Sequence, residues 1–308
     1  MPIAKFAIQR LLQAVFVVFV VTIFVAFAIR LTGDPAIMLV QESSNVTEAD
    51  LERIRAAMGL NKPFLVQYKD FILGFFNGDM GTSFFRGPVS NLVAVALPAT
   101  LALAVASMVV SMLISIPLGI RAALHKGGLS DQIIRIGSLV GLSFPNFWLG
   151  LMLMMVFSIK IPIFNSSGYE GPASIVLPAV TIGIILTATN VRLVRTAMLE
   201  TLGAQYIMVA RSKGLRERIV VYKHALRNSA ITIVTYMGLQ FGNLVGGLVV
   251  VEMVFNWPGM GSLALDAIYQ RDYPVLQASI TLLALMIVAV NFTVDLVYGL
   301  LDPRIRVE

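Results

Sequence analysis

The sequence predicts an all-α polytopic membrane protein with six transmembrane helices, and composition, hydropathy and the placement of basic residues support this fold class. Of 308 residues, 57% are hydrophobic and 13% are charged, whereas soluble domains carry roughly 25% charged residues. The mean hydropathy is +0.84, and the apolar residues fall in long runs. With no cysteine and two histidines, the composition argues against a disulfide framework or a metal site.

Six segments have the length and apolar character of membrane spans. Each is nearly free of charge over the roughly 20 residues that a spanning helix needs. The predicted spans are Leu11–Ile29, Leu97–Ile120, Ile133–Ile159, Ile175–Val191, Ile231–Val251 and Ala278–Leu301.

Asp295 is the charge inside the last span, where insertion of an ionised group costs roughly 3 kcal/mol. It is interpreted either as an anchor at the inner boundary or as a functional group facing the bundle.

The basic residues predict how the spans are oriented. They cluster before the first span, between the second and third spans, and between the fourth and fifth, whereas the short opposite loops hold Lys160 and Arg271. By the positive-inside rule, both termini are expected in the cytoplasm. The net charge of +6 is therefore attributed to topology, and no nucleic-acid partner is expected.

Residues 31–93 form a long segment that is expected to lie outside and to be folded. Thr47 and Asp50 have capping-box spacing, and Gly59 offers a helix stop. A second helix is predicted after Pro63, with an apolar stripe that serves core packing or partner contact. The stripe consists of Leu65, Tyr68, Ile72 and Phe75.

Rows of small residues at four-residue intervals predict close helix packing, because small side chains let helix backbones approach each other in lipid. The rows are Ser107, Ser111, Ser115 and Gly119 in the second span, Gly137 and Gly141 in the third, and Gly238, Gly242 and Gly246 in the fifth. Pro117 and Pro145 remove backbone donors and predict local kinks.

Motifs for nucleotide binding and hydrolysis are missing from the sequence. No lysine follows a glycine, so a GxxxxGK[ST] phosphate loop cannot occur, and neither HExxH nor GxSxG is present. The chain is therefore expected to be no enzyme and to hold no cofactor. Ion-coupled carriers need ionisable groups near the midplane of the membrane. Such groups are scarce in the predicted spans, so an ion-coupled carrier is the weaker alternative.

The loop from 194 to 228 mixes apolar and basic residues, and it is too long for a simple connector. Gly214 can adopt a positive φ and end a short helix there. Two interpretations remain open on physical grounds. The loop either docks on a partner protein that supplies energy, or it rests on lipid headgroups as a basic amphipathic segment.

This loop resembles the EAA-type coupling loop of binding-protein-dependent ABC permeases, in its peptide-family form. The resemblance is carried by residues 206–215 (YIMVARSKGL) and 223–228 (KHALRN), although Met208 stands at the usual glutamate position and Arg227 at the late proline. It implies that a short helix docks in a groove of the ATPase subunit. The residues to which it assigns this role are Tyr206, Ala210, Arg211, Lys213, Gly214, Leu215 and His224.

Further matches to the family run along the whole chain. They include residues 33–35 and 59–83 of the outer segment, residues 143–148 of the third span, and a C-terminal stretch with Asn291, Asp295 and residues 301–304. An outer loop before the last span also matches, and the resemblance implies a role in gating or in contact with a binding protein for Glu252, Trp257 and Asp272. Ordinary anchoring in the interfacial aromatic belt is the alternative for Trp257.

The resemblance implies the type-I ABC importer transmembrane fold in a bacterial cytoplasmic (inner) membrane. Residues 1–92 would form an N-terminal helix with an extracytoplasmic domain, and residues 93–308 the permease core. The implied partners are a homologous second permease, two ATPase subunits that bind ATP and Mg, an extracytoplasmic substrate-binding protein, and membrane lipid. The implied function is import of di- or oligopeptides or a related solute, against the alternatives of an ion-coupled carrier or a membrane scaffold without transport.

Overall fold

A computed structural model describes residues 3–31, 33–40 and 47–301, and no side-chain positions are described for residues 3–7, 38–40, 245 and 295–301. The described part is almost entirely helical. Its elements are α1 (Ile3–Arg30), α2 (Pro35–Val40), α3 (Glu48–Ala57), α4 (Phe64–Phe76), β1 (Thr82–Ser83), β2 (Gly87–Pro88), α5 (Val89–Leu124), α6 (Leu129–Ser143), α7 (Asn146–Met154), α8 (Val176–Leu202), α9 (Gln205–Ser212), α10 (Glu217–Ile219), α11 (Leu226–Gly247), α12 (Val249–Val254), α13 (Met260–Gln270) and α14 (Tyr273–Leu301). Two π-helical turns, Met155–Lys160 and Val220–Ala225, follow α7 and α10.

Four described helices are long and apolar enough to cross a membrane, and they correspond to the first, second, fourth and sixth predicted spans. They are Ile8–Arg30, Val89–Leu124, Pro172–Leu202 and Tyr273–Val294. The third predicted span is a bent pair, with α6 and the stretch from Asn146 to Lys160 meeting at 98°. The fifth predicted span is divided between α11 and α12, and neither helix is among the described helices that are long and apolar enough to cross a membrane.

The two prolines that predict kinks behave differently. At Pro145 the chain breaks, because α6 ends at Ser143 and Phe144 is extended (φ −89°, ψ 129°). A residue before proline is disfavoured in the α region, and proline has no N–H for the helical ladder. By contrast, α5 continues through Pro117 to Leu124 as one helix.

The chain divides into two compact units. The amino-terminal unit comprises Ala4–Thr100 and Pro258–Ala289, and the central unit comprises Leu101–Trp257 with the described residues from Val290 onward. The core of the amino-terminal unit joins α1, the first turns of α5, α13 and α14. Its buried members include Ile29, Val89, Val93, Met260, Leu263 and Leu276.

The predicted caps of the amino-terminal unit are present. Thr47 accepts a hydrogen bond from the Asp50 N–H and completes a capping box at the start of α3. Gly59 follows α3 with φ +69° and donates to the Ala56 carbonyl at 3.1 Å, which ends the helix as predicted. The predicted stripe of α4 needs one correction, because Leu65 is 68% exposed. Phe64 faces inward instead and stacks with Tyr68 at 6.3 Å, since these two residues are four apart on one helix face.

In the central unit, α8 packs on α6, α7 and α11. The serine row of α5 is fully buried there, since Ser107, Ser111 and Ser115 are each 0% exposed. The Asn190 amide donates to the Ser111 hydroxyl at 2.9 Å. A Cβ on Gly183 would lie 2.6 Å from a Val110 methyl group, so α5 and α8 approach at small residues, as helices in lipid commonly do.

Candidate functional site

The basic loop from 194 to 228 contains a short helix that ends at a left-handed glycine. Helix α9 ends at Ser212 and is followed by Lys213 and Gly214, which has φ +73°. The Gly214 N–H donates to the Arg211 carbonyl at 2.9 Å, and the Leu215 N–H donates to the Ala210 carbonyl at 3.4 Å. This pair of bonds is a Schellman motif, which satisfies the last helix carbonyls and reverses the chain direction. Gly214 therefore sets the angle between α9 and the segment that follows.

Helix α9 has one buried face and one exposed apolar face. Ile207 and Ala210 are buried in a core cluster with Val194, Val220 and Ala225. Six large apolar side chains of α9 and of the segment that follows it are between 39% and 55% exposed; they are Tyr206, Met208 and Val209 in α9, and Leu215, Ile219 and Tyr222 after it. Exposed apolar groups gathered in one segment mark an interaction surface for a protein or a membrane. We call these six residues the α9 apolar surface.

Polar contacts hold this surface in place. The Asn228 amide donates to the Tyr206 hydroxyl at 2.8 Å, which ties α9 to the first turn of α11. The Arg211 guanidinium donates to both carboxylate oxygens of Glu217, at 3.2 and 2.6 Å. The hydrogen bond from Arg211 lowers the pKa of Glu217 and raises the pKa of Arg211. Lys213 is exposed and His224 is half-buried in the π-helical turn.

The glycines of α11 lie in different surroundings. A Cβ on Gly238 would be 3.0 Å from a Val294 methyl group, and one on Gly242 would be 2.2 Å from the Asn291 Oδ1 atom. Gly246 is exposed. Two of the three positions therefore allow α14 to approach α11 closely.

The three residues expected at the outer loop are all buried. Glu252 is 0%, Trp257 2% and Asp272 1% exposed. Trp257 packs edge-on against Tyr169, with ring centroids 5.4 Å apart, and its burial disfavours the aromatic-belt interpretation. Asp272 accepts hydrogen bonds from the Ser83 hydroxyl and from the Phe84 N–H, and burial raises its pKa. Their predicted role in gating or in contact with a binding protein stays a prediction.

A buried ion pair that the sequence does not predict joins α6 to α8. Asp131 is 0% exposed and accepts two hydrogen bonds from Arg195, at 2.6 and 2.8 Å. The Gly127 N–H also donates to this carboxylate at 2.9 Å. The available signal is an acidic residue two positions before the third predicted span, where the first turn of a helix favours negative charge. Asp295, the charge inside the sixth predicted span, has no described side chain, and residues 302–304 lie outside the described residues.

Two family models together cover nearly the whole chain. Residues 115–307 match the "binding-protein-dependent transport system inner membrane component" family, and residues 3–104 match its N-terminal companion. The chain belongs to this permease family. It is therefore a multi-pass protein of the type that forms the membrane component of ABC importers, and ATP hydrolysis in such systems belongs to partner subunits.

Curated relatives match this permease over its full length. A glutathione transport system permease protein of Pectobacterium atrosepticum is 38% identical over 304 residues, covering 98% of this chain and 99% of the relative. An oligopeptide transport system permease protein of Bacillus subtilis is 37% identical over 317 residues, with the same coverage. The permease thus falls in the peptide and glutathione branch of the family, as its coupling-loop motif indicated.

Solved structures support the fold. A methionine ABC transporter in inward-facing conformations matches with a TM-score of 0.56 and 20% identity, covering 68% of this chain and 96% of that one. An amino acid ABC transporter matches with a TM-score of 0.52 and 14% identity, covering 68% and 94%. These matches confirm the type-I importer fold of the permease.

Proposed function

We propose that this permease is one of two homologous membrane subunits of an importer for dipeptides, oligopeptides or glutathione. The observation that carries the proposal is full-length similarity to permeases named for glutathione and oligopeptide transport. A binding protein outside the membrane delivers the solute, and two ATPase subunits that bind ATP and Mg supply the energy. Transport follows alternating access, in which closure of the ATPases shifts the population towards a state open to the outside.

The α9 apolar surface is the docking site for an ATPase subunit in this proposal. Its apolar side chains are exposed, while the Gly214 motif sets the direction in which the chain leaves α9. A helix that is held in one orientation can transmit motion between two proteins, because it moves as a rigid unit when its partner moves. The same surface resting on lipid headgroups is the competing interpretation.

The proposed topology has six spans with both termini in the cytoplasm, in the bacterial inner membrane. Residues 1–92 form the first span and an extracytoplasmic domain, and residues 93–308 form the permease core. Glu252, Trp257 and Asp272 shape the outer loop and influence gating through their packing. The glycine row of α11 and the serine row of α5 serve helix packing, and membrane lipid surrounds the assembly.

Purification of the chain from its native membrane tests this function. We expect two ATPase subunits and a second permease to copurify, and we expect loaded binding protein to stimulate ATP hydrolysis. Mass spectrometry of the molecules retained by the binding protein would identify the solute. Purification of the chain without ATPase subunits, in a detergent that preserves a known importer, would contradict the proposal and favour a carrier or a scaffold.

A further inference from the structure

The break between α6 and α7 interrupts a candidate span. Phe144 is extended and Pro145 begins α7, so the chain turns by 98° within two residues. Because proline has no N–H, the Gly141 carbonyl cannot receive the helical hydrogen bond from position 145. The segment 143–146 therefore presents polar backbone at this point.

Contacts with α8 show how deep the break lies. Three contacts mark the course of α6 and α7 along α8, in order: Asp131 with Arg195 at 2.6 Å, Gly141 with Ala188, and Gly150 with Thr181. The break thus lies opposite the part of α8 between Thr181 and Ala188. That part is near the middle of the candidate span Pro172–Leu202. The irregular backbone therefore lies beside the middle of this candidate span, away from both of its ends.

The side chains around the break are uncovered in this chain. Every residue from 142 to 148 is exposed. Irregular backbone at mid-membrane depth cannot face lipid, because its polar groups would lack partners, and it must face protein or a water-filled cavity. Helices that pack together in membranes present small residues to each other. Here the exposed residues are large or polar, namely Phe144, Asn146, Phe147 and Trp148, which favours a water-filled cavity.

Two of these residues form a preorganised aromatic surface. The rings of Phe144 and Trp148 stack with centroids 4.8 Å apart and an interplanar angle of 9°, and both residues are 39% exposed. Asn146 lies between them in sequence, and its side-chain amide can both donate and accept hydrogen bonds. An aromatic face beside an amide suits a solute that carries apolar groups and peptide bonds.

We propose that the segment Ser143–Trp148 lines the solute path and contacts peptide solutes midway across the membrane. The Phe144–Trp148 stack contacts apolar side chains of the solute, and Asn146 hydrogen-bonds to its peptide groups. This inference rests on the proposed function, because it takes a peptide as the transported solute.

Thiol labelling tests whether the segment faces water. The chain has no cysteine, so Asn146→Cys introduces the single reactive thiol of this subunit. In the importer reconstituted into liposomes, a charged, membrane-impermeant methanethiosulfonate should modify this thiol, and saturating dialanine should slow the reaction at least about threefold if solute covers the position. The control is Phe16→Cys, at an exposed position inside α1, which should not react because the reagent does not enter lipid.

The inference would be overturned if Asn146→Cys were not labelled either without nucleotide or with ATP plus vanadate. That result would indicate that position 146 is buried against the second permease. Labelling that dialanine does not slow would overturn the solute contact.

Transport kinetics give an independent test. Trp148→Ala should raise the KM for dialanine and trialanine roughly threefold to tenfold, as expected for loss of one aromatic contact, while Trp148→Phe should retain most of the affinity. Phe16→Ala is the matched control and should leave the KM unchanged. Copurification with the ATPase subunits verifies assembly of each variant.

An unchanged KM in an assembled Trp148→Ala importer would contradict the proposal. Failure of the wild-type importer to move either peptide would instead count against the proposed function, and the labelling result would still decide whether the segment faces water.

Discussion

Asp131 and Arg195 form a two-point ion pair that joins the first turn of α6 to α8, across 64 positions of sequence. The carboxylate is 0% exposed, and the arginine side chain is 18% exposed. A third hydrogen bond from the Gly127 N–H holds the same carboxylate. Breaking a buried ion pair from one side is costly because the remaining charge stays buried without a partner. The pair therefore fixes the position of α6, which leads into the break at Pro145.

We expect Arg195→Ala to destabilise the subunit by about 3 to 5 kcal/mol, because it leaves the buried Asp131 carboxylate without its partner. Thermal unfolding of the purified complex in detergent measures this effect. The double variant Asp131→Leu/Arg195→Met should recover most of the loss, since it leaves no unpaired charge. Arg192→Ala, at an exposed arginine of the same helix, is the control and should cost little. Equal melting temperatures for Arg195→Ala and Arg192→Ala would show that the pair adds nothing to stability.

Gly214→Val should disrupt coupling without disrupting membrane insertion. A Cβ at this position would meet nothing within 4 Å, so the penalty arises from the backbone at φ +73° and is about 1 to 3 kcal/mol. We expect a complex that assembles poorly with its ATPases or fails to raise ATP hydrolysis when loaded binding protein is added.

Two controls accompany this variant. Gly214→Asn should be milder, because asparagine tolerates left-handed backbone, and Gly203→Ala should be mild because Gly203 has an ordinary φ of −82°. Tyr206→Asp should resemble Gly214→Val, since it places a charge in the α9 apolar surface where burial is expected. Normal stimulation in both Gly214→Val and Tyr206→Asp would show that coupling runs elsewhere and that the loop rests on the membrane.

Gly242→Leu should prevent the close approach of α11 and α14. A Cβ there would lie 2.2 Å from the Asn291 Oδ1 atom and 3.1 Å from its Cγ atom, so a larger side chain forces the helices apart. The yield of assembled complex after size-exclusion chromatography measures the effect. Gly242→Ala should be rescued by Asn291→Ala, which removes the clashing amide. Gly247→Ala is the control, as its Cβ would meet nothing within 4 Å, and a normal yield of Gly242→Leu complex would contradict the packing.

The stability of the Asp272 region should depend on pH. Burial raises the pKa of Asp272 in the folded protein above its ordinary value of 3.8. The contribution of Asp272 to the free energy of unfolding is therefore fully present below pH 3.8, and it is lost as the pH rises through the raised pKa. The wild-type complex should therefore lose stability between pH 4 and the raised pKa through this group, and Asp272→Asn should lose less over the same interval. Melting temperatures of both proteins across this range provide the comparison. Parallel curves for the two proteins would show that Asp272 does not titrate there.

Single cysteines report the proposed topology, because the chain has none of its own. Asn165→Cys and Ser262→Cys should react with an impermeant reagent added to intact cells, and Ser212→Cys should react after permeabilisation. This expectation follows from the concentration of basic residues in the loop that contains Ser212. External labelling at Ser212 would reverse the proposed orientation.

Local features of this permease could be predicted from the sequence because the interacting groups are within a few residues of each other. The Thr47 capping box, the helix stop at Gly59 and the left-handed Gly214 each depend on backbone groups no more than five positions away. The membrane-spanning character also needs only the summed hydropathy of each segment. The coupling-loop motif, read with the glycine that ends its helix, was sufficient to indicate the family.

Contacts between helices were decided by the tertiary structure. A span that is apolar on all sides does not specify which face it turns towards its neighbours, because hydropathy does not distinguish lipid from protein in a membrane. The pairing of Asp131 with Arg195, the burial of Trp257 and the inward position of Phe64 in place of Leu65 likewise depend on which neighbouring elements pack against these residues, and the sequence does not specify that packing. Likewise, the sequence located a kink at Pro145, but only the packing of α6 and α7 along α8 placed it midway across the span.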